Sequence, residues 1–382
     1  MDTYNKTILI ICNYFYPAWK AGGPIESLKN LVNALNENLS IFLVCSIYDL
    51  HENKPLTGVK AGEWNMVNHA QVRYLQFDEI KYSIIKKLII ERNADAIYTN
   101  GLFSMPFVIY PLLIWKIWCN KKSRFILSPR GMLQKGALKS KTLKKRLFIC
   151  ALKLFQLHKN VEWHATDEQE CIDIRNHFGK NSRVFIVPNI PKKPCPAPRT
   201  ITKKPGELKL IYLSLVAEKK NLHLSLKWLK ELNTKIVYDI YGPIKDKAYW
   251  NICKQLIEDM PEIIKVSYKG QVFPDKVQDK FSEYHSLLLP TKGENFGHAI
   301  YECLSVGRPV IISTETPWKN LEVKKAGYDI DLRDEEKFKT AIKTLYAMDE
   351  NEFRTWSENA HTIAGNYWRE NNFKSGYLQL FS

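Results

Sequence analysis

The sequence predicts an α/β protein of two domains, each built on a parallel sheet with helices on both faces. Three observations favour this fold class. Short apolar, β-rich runs alternate with helical patterns along most of the chain, as in sheets that are wound on both sides. The alternation stops at a proline-rich stretch and then resumes. The 382 residues are enough for two domains with a core each, and 45% hydrophobic beside 25% charged residues is typical of a globular protein.

The first half is predicted as one Rossmann-like domain, residues 1–190. A helix begins at Pro24, because proline is favoured in a first helical turn and because Ile25, Leu28 and Val32 recur on one face. The predicted strands of this half are Ile8–Cys12, Ile41–Cys45, Ala96–Thr99, Phe125–Ser128, Val161–Ala165 and Val184–Val187.

A break separates the two halves. Six prolines lie between Pro188 and Pro205, so residues 191–207 are predicted as an interdomain linker. A second Rossmann-like domain is predicted over residues 208–365, and a final helix at 366–382 is a candidate to pack back on the first domain. Parallel sheets bind ligands beyond the carboxyl ends of their strands, so we expect a central cleft between the domains. The predicted strands of the second half are Leu210–Leu215, Ile236–Tyr241, Ile263–Tyr268, Ser286–Leu289 and Val310–Ser313.

The net charge of +16 is concentrated in one segment. No Asp or Glu occurs from Ala96 to Val161, and thirteen Lys or Arg lie between Lys116 and Lys159, which leaves 43 basic against 40 acidic residues elsewhere. This clustering predicts an anionic partner, namely a membrane surface, a phosphate-bearing substrate or a nucleic acid. A solvated basic face is the alternative. The apolar residues interleaved with these cations include Trp115, Trp118, Phe125, Leu147, Phe148 and Phe155.

Other features exclude several classes of protein. The longest apolar stretch, Leu102–Trp118, is broken by Pro106, Pro111 and Lys116 and is not predicted to span a membrane. The first residues lack the basic start and the cleavage site of a signal peptide, so Ile8–Cys12 is predicted as a strand. The eight cysteines include no Cys-x-x-Cys pair, which argues against a zinc site or a disulfide framework and favours a reducing cytoplasm.

The strongest motif spans Leu287–Ser313. It predicts a buried strand, a glycine-rich loop, a short helix that stops at Gly307, and another buried strand. Glu294 lies in the loop and Glu302 on the helix. The helix start offers free amides to a phosphate, and carboxylates can accept hydrogen bonds from sugar hydroxyls. The alternative is that both glutamates are solvated surface charges.

The residues Glu294 to Glu302 resemble the Glu-x7-Glu motif of the retaining glycosyltransferases of family 4, which have the GT-B fold. Asn13–Gly23 is similar to the loop after the family's first strand, and Pro317-Trp318 with Gly327–Ile330 is similar to a pattern of its polysaccharide-building members. The resemblance implies two Rossmann-like domains with parallel sheets facing a central cleft. It implies that the first domain binds the acceptor and the second the nucleotide sugar.

The resemblance also implies roles for residues of the motif. Glu302 would bind the ribose hydroxyls of the donor nucleotide. Glu294 would hold the transferred sugar and the distal phosphate together with the backbone amides of Phe296, Gly297 and His298. His298, which adjoins this phosphate position, is the better histidine candidate for substrate contact.

The family usually places an arginine and then a lysine against the diphosphate. Lys220 matches the lysine, but Leu215 occupies the arginine position. Since leucine cannot neutralise a leaving diphosphate, the missing cation would be Lys219 or a residue of the first domain such as Arg130. Without such a cation, turnover would be weaker.

Two positions of the first domain are further candidates. Gly22 and Gly23 precede the helix begun by Pro24, so the backbone and the helix amides could approach a donor phosphate; a simple tight turn is the alternative. Arg130 follows a predicted strand, and we expect it to contact a phosphate of the donor or of the acceptor. A structural salt bridge is the alternative.

Three other patterns receive structural interpretations. His164 is interpreted as a packed histidine. Thr166 and Gln169 fit a helix capping box. The pair Asp329 and Asp331 is rejected as a metal site, because enzymes of the resembled fold do not use one.

The function implied is a metal-independent, retaining transfer of a sugar from a UDP- or GDP-sugar, with no other cofactor and no covalent enzyme residue. We expect a lipid-linked or oligosaccharide acceptor of a surface polysaccharide, capsule or lipopolysaccharide. The Lys116–Lys159 segment would hold the cytoplasmic protein peripherally on the anionic inner face of the cell membrane. Alternatives are a sugar-nucleotide epimerase or phosphorylase of the same fold, or a nucleic-acid-binding protein, for which no motif is present.

Overall fold

The computed structural model describes residues 6–119, 123–139 and 142–382, apart from the side chains at positions 135, 139 and 142. The chain forms two compact units. The first contains the chain up to Ile190 together with Asn372–Ser382, and the second contains Pro191–Asn371.

The first unit is built on an eight-stranded sheet with the order β3-β4-β2-β1-β5-β6-β7-β8. The β3–β4 pair is antiparallel, and the other described pairs are parallel. The strands are β1 Thr7–Cys12, β2 Ser40–Ser46, β3 Trp64–Val67, β4 Ala70–Leu75, β5 Ala96–Asn100, β6 Arg124–Ser128, β7 Glu162–Ala165 and β8 Val184–Ile186. The helices of the same part of the chain are α1 Gly23–Leu35, α2 Tyr82–Arg92, α3 Tyr110–Trp118, α4 Lys135–Lys139, α5 Thr142–Leu154 and α6 Glu168–Phe178.

The second unit is built on a six-stranded parallel sheet with the order β11-β10-β9-β12-β13-β14. Its strands are β9 Leu208–Leu213, β10 Ile236–Tyr241, β11 Ile264–Tyr268, β12 Ser286–Leu289, β13 Val310–Ser313 and β14 Gly327–Ile330. Its helices are α7 Leu222–Lys230, α8 Lys247–Glu258, α9 Val277–Ser282, α10 His298–Ser305, α11 Glu335–Ala347 and α12 Glu350–Glu370. Every strand predicted from the sequence overlaps a strand of the structure.

The sequence prediction missed the hairpin of β3 and β4. Asn68 and His69 form its turn and both have positive φ, 46° and 66°. Hairpin turns of this kind usually carry glycine at one of these positions, and β3 is a half-exposed strand without a buried apolar run. Neither the turn nor the strand therefore had a strong signal in the sequence.

A short π-helical turn, Met105–Ile109, leads into α3. Pro106 lies in its first turn and Pro111 in the first turn of α3, so the prolines do not interrupt the helical conformation from Met105 to Trp118. Within the described ranges, no helix combines the length and the apolar character needed to cross a bilayer.

The proline-rich segment 191–207 contains neither helix nor strand, but it is attached firmly to the second unit. The backbone amide of Arg199 donates to the carbonyl of Val306, at 3.1 Å. The side chain of Lys203 is 1% exposed, and its Nζ donates to three backbone carbonyl oxygens, including that of Met348 at 2.9 Å. Burial lowers the pKa of this ammonium group. The segment is therefore packed on the second unit through Arg199 and Lys203.

The C-terminal residues form two helices. Helix α12 ends at Glu370, and Asn371 and Asn372 separate it from α13, Phe373–Phe381. Helix α13 packs in the first unit. Asn372 begins α13 by accepting a hydrogen bond from the amide of Ser375, at 3.2 Å. The buried ring of Phe381 packs edge-on against Tyr98, with 5.6 Å between ring centres. The final helix therefore contributes to the core of the first unit.

We predict that Gly242→Ala strongly destabilises the second unit. Gly242 follows β10 with φ 135°, and a Cβ there would lie 1.8 Å from the backbone oxygen of Ser214. The free energy of unfolding should fall by ~3 kcal/mol or more, measured by urea denaturation. Gly270→Ala is the matched control, because Gly270 also has positive φ but no atom within 4 Å of its Cβ position; it should cost only ~1 kcal/mol. Equal losses would contradict the prediction.

Candidate functional site

Two loops at the carboxyl edge of the second sheet bring a lysine and a glutamate together. Lys220 ends a 3₁₀ turn, Glu218–Lys220, that follows β9, and Glu294 lies in the loop after β12. Since β9 and β12 are parallel neighbours, both loops leave the same edge of the sheet. The Nζ of Lys220 donates a hydrogen bond to Oε1 of Glu294, and the two side chains are only 16% and 13% exposed. These are the residues that the sequence predicts against the diphosphate and the sugar.

Backbone hydrogen bonds fix the loop that carries Glu294. The amide of Lys292 donates to the carbonyl of Lys219, at 2.8 Å, and the amide of Glu294 donates to the carbonyl of Glu315, at 3.0 Å. The first bond joins the loop after β12 to the turn after β9, and the second joins it to the loop after β13. Lys219 is half-buried in this arrangement. The segments that follow β9, β12 and β13 are therefore fixed in position relative to one another.

Gly297 begins α10 in a conformation that favours glycine. Its φ is 78°, and a Cβ there would lie 2.9 Å from Cδ1 of Ile300. The indole Nε1 of Trp318 donates to the carbonyl of Phe296, at 2.7 Å, which fixes the approach to the helix. The first amides of an α-helix have no partner within the helix and can bind an anion. The amides predicted to hold phosphate therefore lie at the start of α10, in a loop with a fixed path.

The side chain of Phe296 is part of the core. Its ring is buried and packs against Trp318, Tyr301 and Tyr367, with ring centres 5.3–5.6 Å apart. The predicted role of Phe296 therefore depends on its backbone amide alone. The half-buried ring of His298 packs edge-on against Phe296 at 4.8 Å, which places this histidine at the surface of the aromatic cluster.

Glu302 lies in the second turn of α10 and is only 7% exposed. Burial and the neighbouring Glu302 carboxylate raise the pKa of Tyr301 above its ordinary value. Because Glu302 is buried, it is not a solvated surface charge. The ion pair with Lys220 excludes the same alternative for Glu294. Both glutamates of the motif are built into the unit.

Leu215 lies between the end of β9 and the 3₁₀ turn that carries Lys220. Its carbonyl accepts a hydrogen bond from the hydroxyl of Tyr212, at 2.8 Å, and its side chain is half-buried. The segment therefore has a defined path through the position where the resembled family has arginine.

In the first unit, Gly22 precedes α1 with φ 70°, and Gly23 and Pro24 form the first turn. No atom lies within 4 Å of a Cβ position on Gly22, so the backbone conformation rather than a lack of space favours glycine. The preceding loop is held by Asp49, whose buried carboxylate accepts hydrogen bonds from the amides of Trp19, at 2.9 Å, and Lys20, at 3.2 Å. Sequence reasoning missed Asp49, since its bonds join residues about thirty positions apart in the chain.

Arg130 is held by neutral side chains. Its Nε donates to Oδ1 of Asn100, at 2.5 Å, its Nη2 donates to the hydroxyl of Tyr98, at 2.8 Å, and its Nη1 donates to Oδ1 of Asn189. Burial lowers the pKa of Arg130, but the neighbouring Tyr98, Tyr377 and Glu170 raise it above its ordinary value. These bonds do not form the salt bridge that the sequence left as the alternative, because the acceptors are neutral. The guanidinium is fixed in orientation at the carboxyl edge of the first sheet.

His164 is a packed residue, as interpreted from the sequence. It is fully buried, its Nε2 donates to the carbonyl of Val187, at 2.8 Å, and its Nδ1 accepts from the hydroxyl of Tyr98, at 2.9 Å. The carbonyl can only accept a hydrogen bond, which assigns the ring proton to Nε2. Burial, and then the charge of Arg130, lower the pKa of His164 from 6.5 to about 3. The imidazole therefore supports the Tyr98 hydroxyl beneath Arg130.

The predicted capping box of Thr166 and Gln169 is wrong by one residue. Asp167 begins α6, and its carboxylate accepts the amide of Glu170, at 2.7 Å. Asp caps helices at least as well as Thr, so the boundary shifts. Thr166 instead donates its hydroxyl to Glu170, at 2.8 Å, and Gln169 donates to Asp173 one turn later.

Asp329 and Asp331 both have structural partners. The carboxylate of Asp329 accepts the amides of Asn320, at 3.1 Å, and Leu321, at 2.8 Å. Asp331 pairs with Arg333 at 2.6 Å. Over residues 6–119, 123–139 and 142–382, no three His, Cys, Asp or Glu side chains are grouped as a metal ion would require.

Residues 197–362 match the family described as Glycosyl transferases group 1. The matched segment contains Lys220, Glu294 and Glu302 and covers most of the second unit. No curated protein matches the sequence at a significant level.

Several solved structures have the same fold. Sucrose-phosphate synthase from Thermosynechococcus elongatus has a TM-score of 0.74 at 14% identity, over 98% of this chain and 97% of that one. Anabaena HepE in complex with UDP and glucose has a TM-score of 0.70 at 12% identity, over 98% of both chains. WaaG, a glycosyltransferase involved in lipopolysaccharide biosynthesis, has a TM-score of 0.65 at 13% identity, over 98% of both chains. These similarities confirm the predicted α/β fold of the GT-B type.

We predict that the buried neutral His164 makes the first unit sensitive to mild acid. The unfolded chain gains a proton on this imidazole below pH 6.5, whereas the folded protein does so only near pH 3. Stability is therefore lost as pH falls from 6.5, and between pH 7 and 5 the loss from this group should be on the order of 2 kcal/mol. The free energy of unfolding of His164→Gln, measured with urea at pH 7 and at pH 5, should therefore fall by ~2 kcal/mol less between the two pH values than that of the unchanged protein. Parallel losses in the two proteins would contradict the assignment.

Proposed function

We propose that this protein is a glycosyltransferase that moves a sugar from a nucleoside-diphosphate sugar to an acceptor hydroxyl. The observation that carries the proposal is the Lys220–Glu294 pair together with the buried Glu302, all inside the segment that matches Glycosyl transferases group 1. The family match and the shared fold support this class of reaction.

The donor is a UDP- or GDP-sugar, and no further cofactor or metal is needed. Glu302 holds the ribose hydroxyls, and Glu294 holds the transferred sugar. The amides of Phe296, Gly297 and His298 hold the distal phosphate, because N–H groups at a helix start suit phosphate oxygens. The structure of HepE with UDP and glucose supports this class of donor.

The reaction breaks the bond between the anomeric carbon and the leaving phosphate oxygen. The acceptor oxygen forms its bond on the same face, so the anomeric configuration is retained and no enzyme side chain acts as nucleophile. The acceptor proton passes to the leaving phosphate oxygen. Negative charge grows on the diphosphate, where Lys220 and the α10 amides stabilise it. Since Glu294 already orients Lys220, the cation needs little rearrangement.

A second cation supplements Lys220. Lys219 takes this part in the second unit, since Leu215 cannot. In the first unit, Arg130 binds a donor or acceptor phosphate, because its neutral hydrogen-bond acceptors fix the guanidinium without cancelling its charge. Gly22 and Gly23 let the backbone and the start of α1 approach a phosphate.

The acceptor is the lipid-linked or oligosaccharide end of a growing surface polysaccharide or lipopolysaccharide. Such an acceptor is presented at the cytoplasmic face of the membrane, and the basic Lys116–Lys159 segment binds this face peripherally; positions 120–122 and 140–141 of it lie outside the described residues. The involvement of WaaG in lipopolysaccharide biosynthesis supports this class of acceptor.

The first test is a panel of nucleotide sugars scored by thermal shift and by slow donor hydrolysis without acceptor. One nucleoside diphosphate and its sugar should stabilise the protein selectively, and Glu302→Gln should abolish this stabilisation because the ribose hydroxyls lose a charged acceptor. Lys220→Ala should lower turnover by ~10²–10³. No stabilisation by any member of the panel would overturn the proposal.

Lys292→Ala is the matched control for Lys220→Ala. It removes the same charge from the neighbouring loop, but Lys292 is exposed and pairs with Glu218. Donor binding and turnover should stay close to those of the unchanged protein. An equal loss in both variants would show that Lys220 acts only through the general charge of the loops.

We also predict that Leu215→Arg increases turnover. The substitution restores a cation at the position where the resembled family neutralises the diphosphate, and the half-buried side chain is partly accessible to solvent. Steady-state rates with the donor identified by the panel should rise several-fold, with the larger effect on kcat because the charge develops in the transition state. Leu215→Met is the control for the change in side-chain shape. A rate unchanged by arginine would contradict this prediction and would indicate that Lys219 already supplies the second positive charge in full.

A further inference from the structure

Helix α5 exposes a stripe of large apolar side chains. Leu143, Leu147 and Leu154 are 71%, 61% and 77% exposed, and Phe155, which follows the helix, is 70% exposed. Cys150 is exposed between them. Positions 143, 147, 150 and 154 recur at helical spacing and so fall on one face. Singly exposed leucines are ordinary on protein surfaces, whereas a stripe of four marks an interaction surface.

The opposite face of α5 is anchored in the first unit. Ile149 and Leu152 are buried, and the ring of Phe148 packs edge-on against Phe103, with 5.2 Å between ring centres. The Nζ of Lys145 donates to the carbonyl of Ala137, at 2.6 Å. These inward contacts prevent α5 from rotating about its axis, so the outward leucines cannot turn into the core. The helix is apolar on two faces, of which the fold covers one.

Cations flank the stripe on both sides. At 3.6 residues per turn, Lys144 lies on one side between the outward and inward faces, and Arg146 with Lys153 lies on the other. The sequence around the helix contains no acidic residue from Ala96 to Val161. An outward apolar face bordered by cations is typical of a helix that lies in the interface of an anionic bilayer.

A second exposed apolar site lies close to the end of this stripe. Ile117 and Trp118 at the end of α3 are exposed, and the Nζ of Lys86 lies 3.0 Å from the centre of the Trp118 ring. The Nζ of Lys116 donates to the carbonyl of Lys159, at 2.9 Å, which ties the end of α3 to the segment after α5. Tryptophan beside lysine is favoured at the membrane interface, so this site extends the same surface.

The structure also corrects which aromatic residues belong to this surface. Phe125 is fully buried in β6, and Trp115 is half-buried, with its indole Nε1 donating to the carbonyl of Ser123, at 2.8 Å. Phe148 faces inward. The apolar contacts available to a membrane are therefore Trp118, Leu147 and Phe155 from the sequence-based set, with the leucines at 143 and 154 added.

We propose that α5 inserts its leucine stripe into the hydrocarbon boundary of an anionic phospholipid bilayer, with Lys144, Arg146 and Lys153 at the level of the phosphates. This inference rests on the proposed function, since a membrane-presented acceptor gives the contact its purpose. It differs from electrostatic adsorption, in which the leucines would stay in water. Insertion transfers their apolar area out of water and should therefore persist when salt screens the charges.

The test is vesicle flotation with phosphatidylcholine vesicles that contain phosphatidylglycerol, at low salt and at about 0.5 M salt. The full-length protein should bind in both conditions. The double variant Leu147→Ser/Leu154→Ser should bind more weakly, by about tenfold for each leucine. Ile252→Ser is the matched control, because Ile252 on α8 of the second unit is comparably exposed, at 53%; it should bind like the unchanged protein.

Cys150 gives a direct measurement of insertion. An environment-sensitive fluorophore on Cys150, in a background with the part-buried Cys119 and Cys195 replaced by Ser, should shift to shorter wavelength with vesicles and become protected from aqueous iodide. A fluorophore that stays accessible to iodide on bound protein would overturn insertion. Binding that salt abolishes and the leucine substitutions leave unchanged would do the same.

Two further readouts separate the possible causes of failure. A self-associated protein that Leu147→Ser/Leu154→Ser converts to monomer, without vesicle binding, would assign the stripe to a second copy of the chain and overturn the proposal. Thermal stabilisation by the donor and transfer to a soluble acceptor do not require vesicles. If they persist while vesicle binding is absent, the inference on α5 and the proposed membrane contact fail, and the proposed sugar transfer stands. If donor binding is absent while insertion is observed, the proposed sugar transfer fails and the insertion of α5 stands.

Discussion

The ion pair between Lys220 and Glu294 is the contact on which the candidate site of the second unit depends. It joins loops from two neighbouring strands and lies largely out of water, so loss of either partner would leave the other charge poorly solvated. The backbone bonds at Lys292 and Glu315 brace the same loop on its two sides. That loop leads directly to Gly297, and the position of the first amides of α10 relative to the ammonium group is therefore fixed before any ligand arrives.

The sheets were predictable because their strands are short, apolar and separated by helical patterns, as buried parallel strands must be. The segment from Leu287 to Ser313 was predictable in detail, since glycines mark both ends of α10. The hairpin of β3 and β4 was not, because its turn uses Asn68 and His69 without glycine. The start of α6 was misplaced because Thr166 and Asp167 are both good capping residues, and only their hydrogen bonds distinguish them.

Contacts between distant segments could not be predicted from one sequence. The spacing of Glu294 and Glu302 is local and was recognisable, whereas Lys220 and Glu294 are 74 positions apart. The acceptors of Arg130 come from β5 and from the segment after β8, so a salt bridge and a neutral network were equally compatible with the sequence. Helix α5 shows the same limit, because periodicity locates its two apolar faces and only the packing of Ile149 and Leu152 shows which one stays outside.

The return of α13 to the first unit affects the order in which the chain can fold during synthesis. Tyr377, Leu380 and Phe381 are buried there, so the first 190 residues leave the ribosome without part of their own core. The second unit is contiguous over Pro191–Asn371 and can complete its fold earlier. The amino-terminal unit therefore matures last, and until then the side chains that α13 covers, Tyr98 and His164 among them, are open to chaperones or to premature association.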